Sequence, residues 1–427
     1  MSIPRLPVPG FVTLWIVTFR QNGRLGQIMI SRNSSVADQP TIAVVGFSAR
    51  AAAQCAKRQG FEVVAVDFCA DRDLFGECLA HYRLDDPNWP NTLNALHPSA
   101  PLLLTGGMEH RLELVDQCHS VSNRFGPSGK QLTGIRSLDN WAKWAVSCDI
   151  GWPVTLRGCL DESGLSEQLL RGGWLLKPFQ SAGGIGITDV INASQLSDSV
   201  FKDHSKVYLQ QRHPGETIGI TFLSSEFGST LMGAAAAWPE NSKTRRATYK
   251  YRGSFGPFPL STAQIDKLQR FASLVGRESG LLGLWQADFL KHDSEITLLE
   301  INPRWSASMD ILDVCLNLPL VETHYACIRT TLSQARFEAI ASNACKRAQQ
   351  SSDAMLGKWI VYARAPFTVS QTQSDAWWMN RWEGDLISVR NGNRFADIPC
   401  VGTEIAEGDP ILTIMTTNIS ADFAGVL

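Results

Sequence analysis

Short apolar runs bounded by polar or turn residues recur along the 427 residues of this chain, and their order predicts a mixed α/β protein. The first clear pair of runs, Thr41 to Phe47 and Phe61 to Asp67, has the composition of buried strands. Between them Ser48 can cap a helix from Ala49 to Arg58, and Gly60 follows the end of that helix. A strand, a helix and a second strand in this order predict a parallel sheet.

The residues around the first strand do not favour a dinucleotide site. The segment Gly46 to Ala51 lacks the second and third glycines of the dinucleotide fingerprint, although Asp67 stands where a ribose-binding acid would be.

Upstream, the nine-residue apolar run Phe11 to Phe19 is shorter than the ~20 residues that span a bilayer. Residues 1–40 are therefore left without a function, and no membrane association is expected.

A second pair of apolar runs predicts a hairpin that ends in polar residues. Leu284 to Leu290 has the pattern of a strand, a polar connection follows it, and the next run leads to Asn302. Side chains at positions i and i+2 of a strand share a face, so Glu300 and Asn302 are expected together. Leu299 and Ile301 are then expected to face the core.

The end of this hairpin predicts a metal site. Antiparallel pairing of the two strands brings Asp288 close to Glu300, which stands beside Asn302. Oxygen ligands of this kind are those that Mg²⁺ prefers, with phosphates and water completing the coordination. The alternative is a polar strand end with an exposed acid and no ligand.

A lysine and three glycines upstream predict a site for phosphate. Lys177 interrupts the apolar strand that begins at Trp174, and Gly183, Gly184 and Gly186 follow it in a loop before a second strand. Glycines let backbone N–H groups converge on an anion, and the lysine adds positive charge. No Gly-Lys-Ser/Thr follows, so the loop is not a Walker loop. The alternative is a glycine-rich hairpin without a ligand.

A third polar set follows the strand that begins at Val207. Gln210 and Gln211 lie at its end, and Glu216 follows a Pro-Gly turn. An apolar strand, two amides, a turn and an acid in this order suit the adenine edge and ribose hydroxyls of a nucleotide.

In this order, the lysine strand, the glycine loop, the glutamine pair, the aspartate strand and the Glu-x-Asn-Pro-Arg segment resemble the ATP-grasp superfamily. The resemblance covers roughly residues 41–330 and implies ATP as the nucleotide and Mg²⁺, or Mn²⁺, as the metal. It implies that Lys177 and Lys143 contact the phosphates, and that Arg304 and Lys177 act in phosphoryl transfer. Other implied contacts are the glycine loop (Gly183, Gly184, Gly186), adenine (Gln210, Gln211), ribose (Glu216) and metal (Asp288, Glu300, Asn302). Many relatives carry an acid at the position of Gln211.

The resemblance also implies an order of parts along the chain. The fold class that it implies is α/β (α+β), an ATP-grasp fold with a small parallel α/β domain before it and a β-rich cap after it. The expected parts are an unassigned extension (1–40), the α/β domain (41–138), the first ATP-grasp subdomain (139–205), the second with the metal site (206–340) and the β-rich region (354–427). In this family the first α/β domain helps to bind substrate, so Ser48, Arg50 and the segment Gly106 to Glu109 are expected to border the substrate pocket.

The composition and charge of the chain limit the classes of partner that are expected. A net charge of −2 argues against a general nucleic-acid binder, and 44% hydrophobic residues allow sizeable cores. Ten cysteines without a Cys-x-x-Cys pair are typical of reduced thiols in a cytoplasmic protein. One basic cluster is either a solvated face or a surface that receives an acidic substrate or an acyl phosphate. Its members are Lys243, Arg245, Arg246, Lys250 and Arg252.

Within the superfamily, residues 46–53, 66–67 and 71–73 and the β-rich tail resemble predicted ATP-dependent carboligases related to biotin carboxylase. This branch implies a carboxylate–amine ligase with small-molecule acid and amine substrates, and neither nucleic acid nor membrane is expected as a partner. The β-rich region either completes the substrate site or mediates formation of a homodimer, and the sequence does not decide between the two. Members accompany enzymes of the methanopterin- and methanofuran-linked one-carbon pathway, which implies biosynthesis of a one-carbon carrier. The alternatives are an ATP-grasp kinase that phosphorylates a small molecule and a non-catalytic ATP-binding sensor.

Overall fold

The computed structural model describes residues 13–21, 24–32, 39–120, 126–157, 173–190, 206–239, 249–350, 354–390 and 392–419. Strand β1 (Thr13–Gln21) and strand β2 (Arg24–Arg32) pair antiparallel as a separate two-stranded sheet. Their apolar residues thus form strands in the segment for which the sequence predicts no function.

A small parallel sheet with helices follows. Its elements are β3 (Thr41–Gly46), α1 (Arg50–Arg58), β4 (Glu62–Asp67), β5 (Ala80–Arg83), α2 (Trp89–Leu96), β6 (Leu102–Leu104), a 3₁₀ turn (Met108–His110), α3 (Leu112–Ser120) and α4 (Gly129–Ile135). The strands lie in the order β5-β4-β3-β6, and each neighbouring pair is parallel. Strands β3 and β4 are apolar on both faces because helices cover both sides of the sheet. The predicted parallel unit is confirmed.

A second, four-stranded sheet is antiparallel. Its elements, with the helix that precedes them, are α5 (Leu138–Ser147), β7 (Thr155–Leu156), β8 (Trp174–Pro178), β9 (Thr188–Val190) and β10 (Val207–Gln211). The strands lie in the order β7-β10-β8-β9, so β10 pairs with the lysine strand β8. The expected boundary between the two ATP-grasp subdomains, at residue 206, stays a prediction. Strand β10, which begins just after that boundary, belongs to this four-stranded sheet.

The largest sheet has eight strands and continues to the end of the described chain. Its first strands and helices are β11 (Glu216–Ser225), β12 (Gly228–Ala237), β13 (Gly253–Gly256), α6 (Thr262–Ser279), β14 (Gly283–His292), β15 (Glu295–Asn302), α7 (Met309–Cys315), α8 (Leu320–Ile328) and α9 (Gln334–Gln349). The later elements are β16 (Leu356–Tyr362), β17 (Phe367–Thr368), α10 (Gln371–Met379), α11 (Leu386–Arg390), β18 (Arg394–Ala396), β19 (Glu404–Ile405) and β20 (Pro410–Thr416). Of these, β17 and β19 pair with each other in a separate two-stranded sheet. The strand order is β15-β14-β11-β12-β13-β16-β20-β18, so the β-rich C-terminal strands extend this sheet through β16.

Both faces of the large sheet are covered. Helices α5 and α6 pack on one face around Phe222, Phe271 and Trp285, all fully buried. Helices α7 and α8 pack on the other face, where α1 of the small parallel sheet joins the same core. Among the described residues no single helix is long and apolar enough to cross a membrane, although α7 and α8 together meet that test with a bend of 113° between them.

His324 joins the small parallel sheet to the large sheet inside this core. Its Nδ1 accepts a hydrogen bond from the Leu284 backbone N–H at 3.0 Å, and its Nε2 lies 3.2 Å from the Leu102 carbonyl oxygen. Since a carbonyl oxygen only accepts, Nε2 carries the proton and the ring is neutral. Burial lowers the pKa of His324 from 6.5 to about 4.

Acid is therefore expected to destabilise the fold through His324. Below pH 6.5 the unfolded chain binds a proton that the folded ring rejects down to about pH 4, so stability falls as the pH falls through this window. At ~1.4 kcal/mol per pKa unit, the free energy of unfolding should fall by about 3 kcal/mol. Urea unfolding across this pH range would measure it. His324→Gln keeps a donor for Leu102 without titrating, and an unchanged pH dependence in this variant would contradict the assignment.

Candidate functional site

Two acids and an amide meet at the edge of the large sheet. In the antiparallel register of β14 and β15, Asp288 lies opposite Glu300, and Gln286 lies opposite Asn302. The Asn302 amide nitrogen donates to Asp288 Oδ2 at 3.0 Å and to Glu300 Oε1 at 3.1 Å. The hairpin therefore brings together the three side chains that the sequence assigns to one group.

A β-bulge changes which residues of β15 face the core. The register shifts between Asp288 and Phe289, so that Phe289 pairs with Leu298 and Leu299 is the extra residue. Leu298 and Ile301 are fully buried, whereas Leu299 is only partly buried. The expectation that Leu299 faces the core is wrong, because the bulge interrupts the simple alternation of the strand.

The acid pair holds an excess of negative charge. Burial and the neighbouring Glu300 raise the pKa of Asp288 to about 7. Burial also acts to raise the pKa of Glu300, but the Arg136 charge and the Asn302 amide outweigh it, and the pKa lies below its usual range. The pair thus differs in proton affinity, and a cation between the two carboxylates would relieve their repulsion.

The donor set fits Mg²⁺ in part. Asp288 and Glu300 supply the hard oxygen ligands that this ion prefers. The Asn302 amide presents its NH₂ group to them and its Oδ1 to the arginines, so Asn302 would serve as an oxygen ligand only after its amide turns over. Within the described ranges no group of three or more His, Cys, Asp or Glu side chains could hold a metal, so other ligands would have to come from water or phosphate.

Two arginines hold the Asn302 amide from the other side. Arg136 Nη1 lies 3.2 Å from Asn302 Oδ1 and 3.7 Å from Glu300 Oε2, and it also donates to the Ile301 carbonyl. Arg304 Nη2 lies 3.4 Å from the same amide oxygen. The sequence singles out Arg304 but misses Arg136, which caps the C-terminal end of α4 and carries no recognisable motif.

Lys177 approaches the acid pair from the smaller antiparallel sheet. It is 9% exposed, and Nζ donates to Gln210 Oε1 at 2.6 Å. Burial lowers the pKa of Lys177, although the negative charges of Glu300 and Asp288 act to raise it. The lysine therefore lies within the electrostatic reach of the acid pair, where it can meet a phosphate that the pair helps to hold.

The residues expected around adenosine differ in accessibility. Gln210 is 1% exposed, and its amide is engaged by Lys177 and by Thr155 Oγ1 at 3.2 Å, so in this arrangement it positions the lysine. Gln211 is partly buried, and its backbone N–H donates to the Val154 carbonyl at 2.8 Å. Glu216 is exposed at the start of β11. The adenine and ribose assignments stay predictions.

The glycine loop requires glycine at several positions. Gly183, Gly184 and Gly186 have φ of 61°, 73° and 81°, in the left-handed region that side chains disfavour. The loop packs on the segment before β13, where the Tyr251 N–H donates to the Gly183 carbonyl at 2.8 Å. A Cβ on Gly184 would overlap the Tyr249 carbonyl, so the backbone itself makes the close approach.

Gly184→Ala is expected to raise the KM for ATP about tenfold, because its methyl group pushes the loop away from Tyr249. Gly183→Ala is the matched variant: the nearest atom to its Cβ, Tyr251 Cβ, lies at an ordinary 3.7 Å. It carries only left-handed strain of ~1 kcal/mol, so its KM should change less. Steady-state phosphate release at varied ATP would compare the two variants, and equal KM values would contradict the role given to Tyr249.

Other expected residues lie outside this group. Lys143 on α5 is 60% exposed and forms an ion pair with Glu278 at 2.8 Å. Arg50, expected at the substrate pocket, is fully buried and forms an ion pair with Asp397 at 2.8 Å. Three residues of the basic cluster, Lys243, Arg245 and Arg246, lie outside the described residues.

A comparison with known protein families matches the region of the chain that contains the site. Residues 163–308, which include the glycine loop and the acid pair, match a family described as an ATP-grasp domain. The carbamoyl phosphate synthase large chain of Helicobacter pylori (strain ATCC 700392 / 26695) is 31% identical over 68 residues. That stretch is 16% of this chain and spans only 6% of the length of that relative.

Solved structures share the fold over most of the chain. The biotin carboxylase domain of Hydrogenobacter thermophilus 2-oxoglutarate carboxylase, solved with MgADP, ADP and bicarbonate, has a TM-score of 0.64 at 12% identity and covers 88% of this chain and 86% of that one. An N5-carboxyaminoimidazole ribonucleotide synthetase with ADP gives 0.63 at 12% identity, with 91% and 95% covered. The L-amino acid ligase of Bacillus licheniformis gives 0.62 at 12% identity, with 91% and 96% covered. At these identities the likeness shows the fold.

The family match over residues 163–308 and the shared fold agree with the resemblance to the ATP-grasp superfamily. The predicted fold class is confirmed, with a parallel α/β unit before the ATP-grasp domain and β-rich strands after it. Proteins that share this fold include an L-amino acid ligase and a biotin carboxylase domain solved with MgADP, and an ATP- and Mg²⁺-dependent ligase is the class of protein that the sequence predicts.

Proposed function

We propose that this protein is an ATP- and Mg²⁺-dependent ligase that joins a carboxylic acid to an amine through an acyl phosphate. The observation that carries the proposal is the convergence of the acid pair, Asp288 and Glu300, with the cations Arg136, Arg304 and Lys177. Phosphoryl transfer needs positioning and charge neutralisation more than covalent help from the protein. This group of side chains offers both.

The residues divide the work by charge. Asp288 and Glu300 would hold Mg²⁺, which would supply positive charge to neutralise phosphate oxygens. Lys177 binds phosphate oxygens from the smaller sheet, and the loop of Gly183, Gly184 and Gly186 covers them with backbone N–H groups. Gln210, Gln211 and Glu216 lie towards the adenosine, where Gln210 acts by holding Lys177.

The chemistry proceeds in two balanced steps. An oxygen of the acid's carboxylate attacks the γ-phosphorus of ATP, the bond to the β–γ bridging oxygen breaks, and ADP leaves. The amine nitrogen then attacks the carbonyl carbon of the acyl phosphate, inorganic phosphate leaves with the bonding electrons, and the nitrogen loses a proton. Arg304 and Lys177 neutralise the charge that spreads over the phosphoryl oxygens in the first step. Amide, ADP and phosphate are the products.

Solved structures of the same fold support this choice of reaction. One is an L-amino acid ligase, and another holds MgADP together with bicarbonate. We further propose that the enzyme acts in the cytoplasm, as its cysteine content indicates, and that it forms a homodimer. The branch that the sequence resembles supports a role in the biosynthesis of a one-carbon carrier of the methanopterin or methanofuran type.

Release of ADP and phosphate by the purified protein tests the proposal. The assay contains Mg²⁺, ATP and a panel of acids and amines that includes precursors of one-carbon carriers, with Glu300→Ala as the control. Stimulated release of free phosphate together with an amide product, both absent from the variant, is the expected result. ADP with a stable phosphorylated product would replace the ligase with a kinase, and nucleotide binding without any stimulated turnover would favour a sensor.

A further inference from the structure

The loop after β6 reaches from the small parallel sheet into the candidate site. Its 3₁₀ turn, Met108–His110, contains Glu109, which is 4% exposed, and the partly buried His110. Glu109 Oε1 accepts a hydrogen bond from Arg304 Nε at 2.8 Å, and His110 Nε2 lies 3.1 Å from the Ser181 carbonyl oxygen. One turn thus contacts both the phosphoryl-side arginine and the first residue of the glycine loop.

Glu109 directs the Arg304 guanidinium. Arg304 Nε donates to Glu109, Nη1 donates to Ser306 Oγ at 2.7 Å, and Nη2 lies 3.4 Å from Asn302 Oδ1. Glu109 is the one anion among these partners, and charge-assisted hydrogen bonds are about twice as strong as neutral ones. Burial acts to raise the pKa of Glu109, but the charges of Arg304 and Arg136 outweigh it and keep the acid ionised.

The stability of the fold does not explain the buried acid at position 109. Glu109 Oε2 is inaccessible to solvent and has no hydrogen-bond partner among the described side chains and backbone. A buried ion pair is often neutral or unfavourable for stability, and an unpaired oxygen adds to its cost. An acid in this position is therefore better explained by what it does to Arg304 than by what it adds to stability.

His110 anchors the start of the glycine loop. Because the Ser181 carbonyl only accepts, His110 Nε2 is the donor. Within the loop, Ser181 Oγ donates to the Ile185 carbonyl at 2.5 Å, so a fixed Ser181 also restrains the residues that follow it. The position of the loop over the site is thus tied to the small parallel sheet.

We propose that the turn Met108–His110 is a working part of the nucleotide site, in which Glu109 positions Arg304 for the terminal phosphate and His110 positions the glycine loop. The inference rests on the proposed nucleotide-binding function. Both are positioning residues, since Glu109 acts through Arg304 and His110 acts through the loop backbone. The small parallel sheet must then be docked for the γ-phosphate of ATP to be held.

Affinities for two nucleotides distinguish a specific role of Glu109 at the terminal phosphate from a general loss of nucleotide binding. Calorimetry with MgADP and with the Mg²⁺ complex of the β,γ-imido analogue of ATP measures how much affinity the third phosphate adds. Glu109→Ala should lose about tenfold of that gain and leave the MgADP affinity within about twofold. Glu109→Gln keeps an oxygen for Arg304 Nε and should retain part of the gain. Glu113→Gln, an exposed acid on α3, is the matched control.

A different readout tests His110. His110→Ala should weaken both nucleotides by the same factor, roughly fivefold, because the glycine loop serves the phosphates they share. Hydrogen exchange of the amides at 181–187 in the MgADP complex should be faster in this variant than in wild type. Circular dichroism reports whether each variant folds. If Glu109→Ala does not fold, the nucleotide affinities of Glu109→Gln test the role of Glu109.

The outcomes distinguish a failure of the proposed nucleotide-binding function from a failure of the role proposed for the turn. If wild type binds neither nucleotide, the proposed function fails, and this inference fails with it. If wild type binds both, but the Glu109 variants keep the full gain and His110→Ala matches wild type in affinity and exchange, the turn is structural and only this inference is overturned.

Discussion

Replacing Glu300 with glutamine is expected to lower the kcat of ATP-dependent amide formation by roughly 10³-fold. Glutamine keeps the length of the side chain and one oxygen, but it removes the charge. Glu300 faces Asp288 across the hairpin, and its Oε2 lies 3.7 Å from Arg136 Nη1. Without the charge, Mg²⁺ loses an anionic ligand and Arg136 loses its counter-charge, a combined loss of about 4 kcal/mol in the transition state.

Phosphate release at several Mg²⁺ concentrations measures this effect. Glu295→Gln is the control, because Glu295 lies on the same strand with a side chain that is 70% exposed. It should keep kcat within about twofold of wild type. The Glu300 variant should also need more Mg²⁺ for half-maximal rate. A variant with wild-type kcat at low Mg²⁺ would show that Glu300 is not a metal ligand.

The hairpin that contains Asp288 and Glu300 can be predicted from sequence because the signals for it lie close together along the chain. Two apolar runs and a short polar connection fix an antiparallel pair, and the short turn fixes its register. That register alone would place Asp288 opposite Leu299, and the bulge at Leu299 moves Glu300 opposite Asp288. The parallel unit at Thr41 to Asp67 follows from equally local signals, a strand, a cap and a terminating glycine.

The side-chain network around the hairpin could not be read in this way. Strand alternation predicts that Leu299 faces the core, and this is wrong because a bulge adds one residue without changing the pattern of apolar residues. Arg136 and Glu109 are 164 and 191 residues away from Glu300 along the chain, and only tertiary packing brings Arg136 to Glu300 and Glu109 to Arg304. Neither stands in a motif, so the sequence offers no signal beyond a cation at one helix end and an acid in one turn.

Replacing Lys177 with methionine is the second large effect that we expect. Methionine fills the space of the buried stem but cannot neutralise phosphate oxygens. Lys177 is 9% exposed and lies within the field of Glu300 and Asp288, beside the glycine loop. The expected result is a fall of roughly 10²-fold to 10³-fold in kcat/KM for ATP. Phosphate release at varied ATP measures it, and thermal unfolding checks that loss of the Gln210 contact has not unfolded the variant.

Lys143→Met decides between the sequence-based and the structure-based view of the second phosphate cation. The sequence favours Lys143 because it is a lysine upstream on a predicted helix. In the structure its side chain faces Glu278 on α6 and is 60% exposed, whereas Arg136 reaches Asn302 and Glu300. An exposed ion pair of this kind contributes little, so we expect less than a threefold change in kcat/KM. A loss as large as that of Lys177→Met would mean that Lys143 leaves Glu278 to bind phosphate, and Arg136 would then serve mainly to orient Asn302.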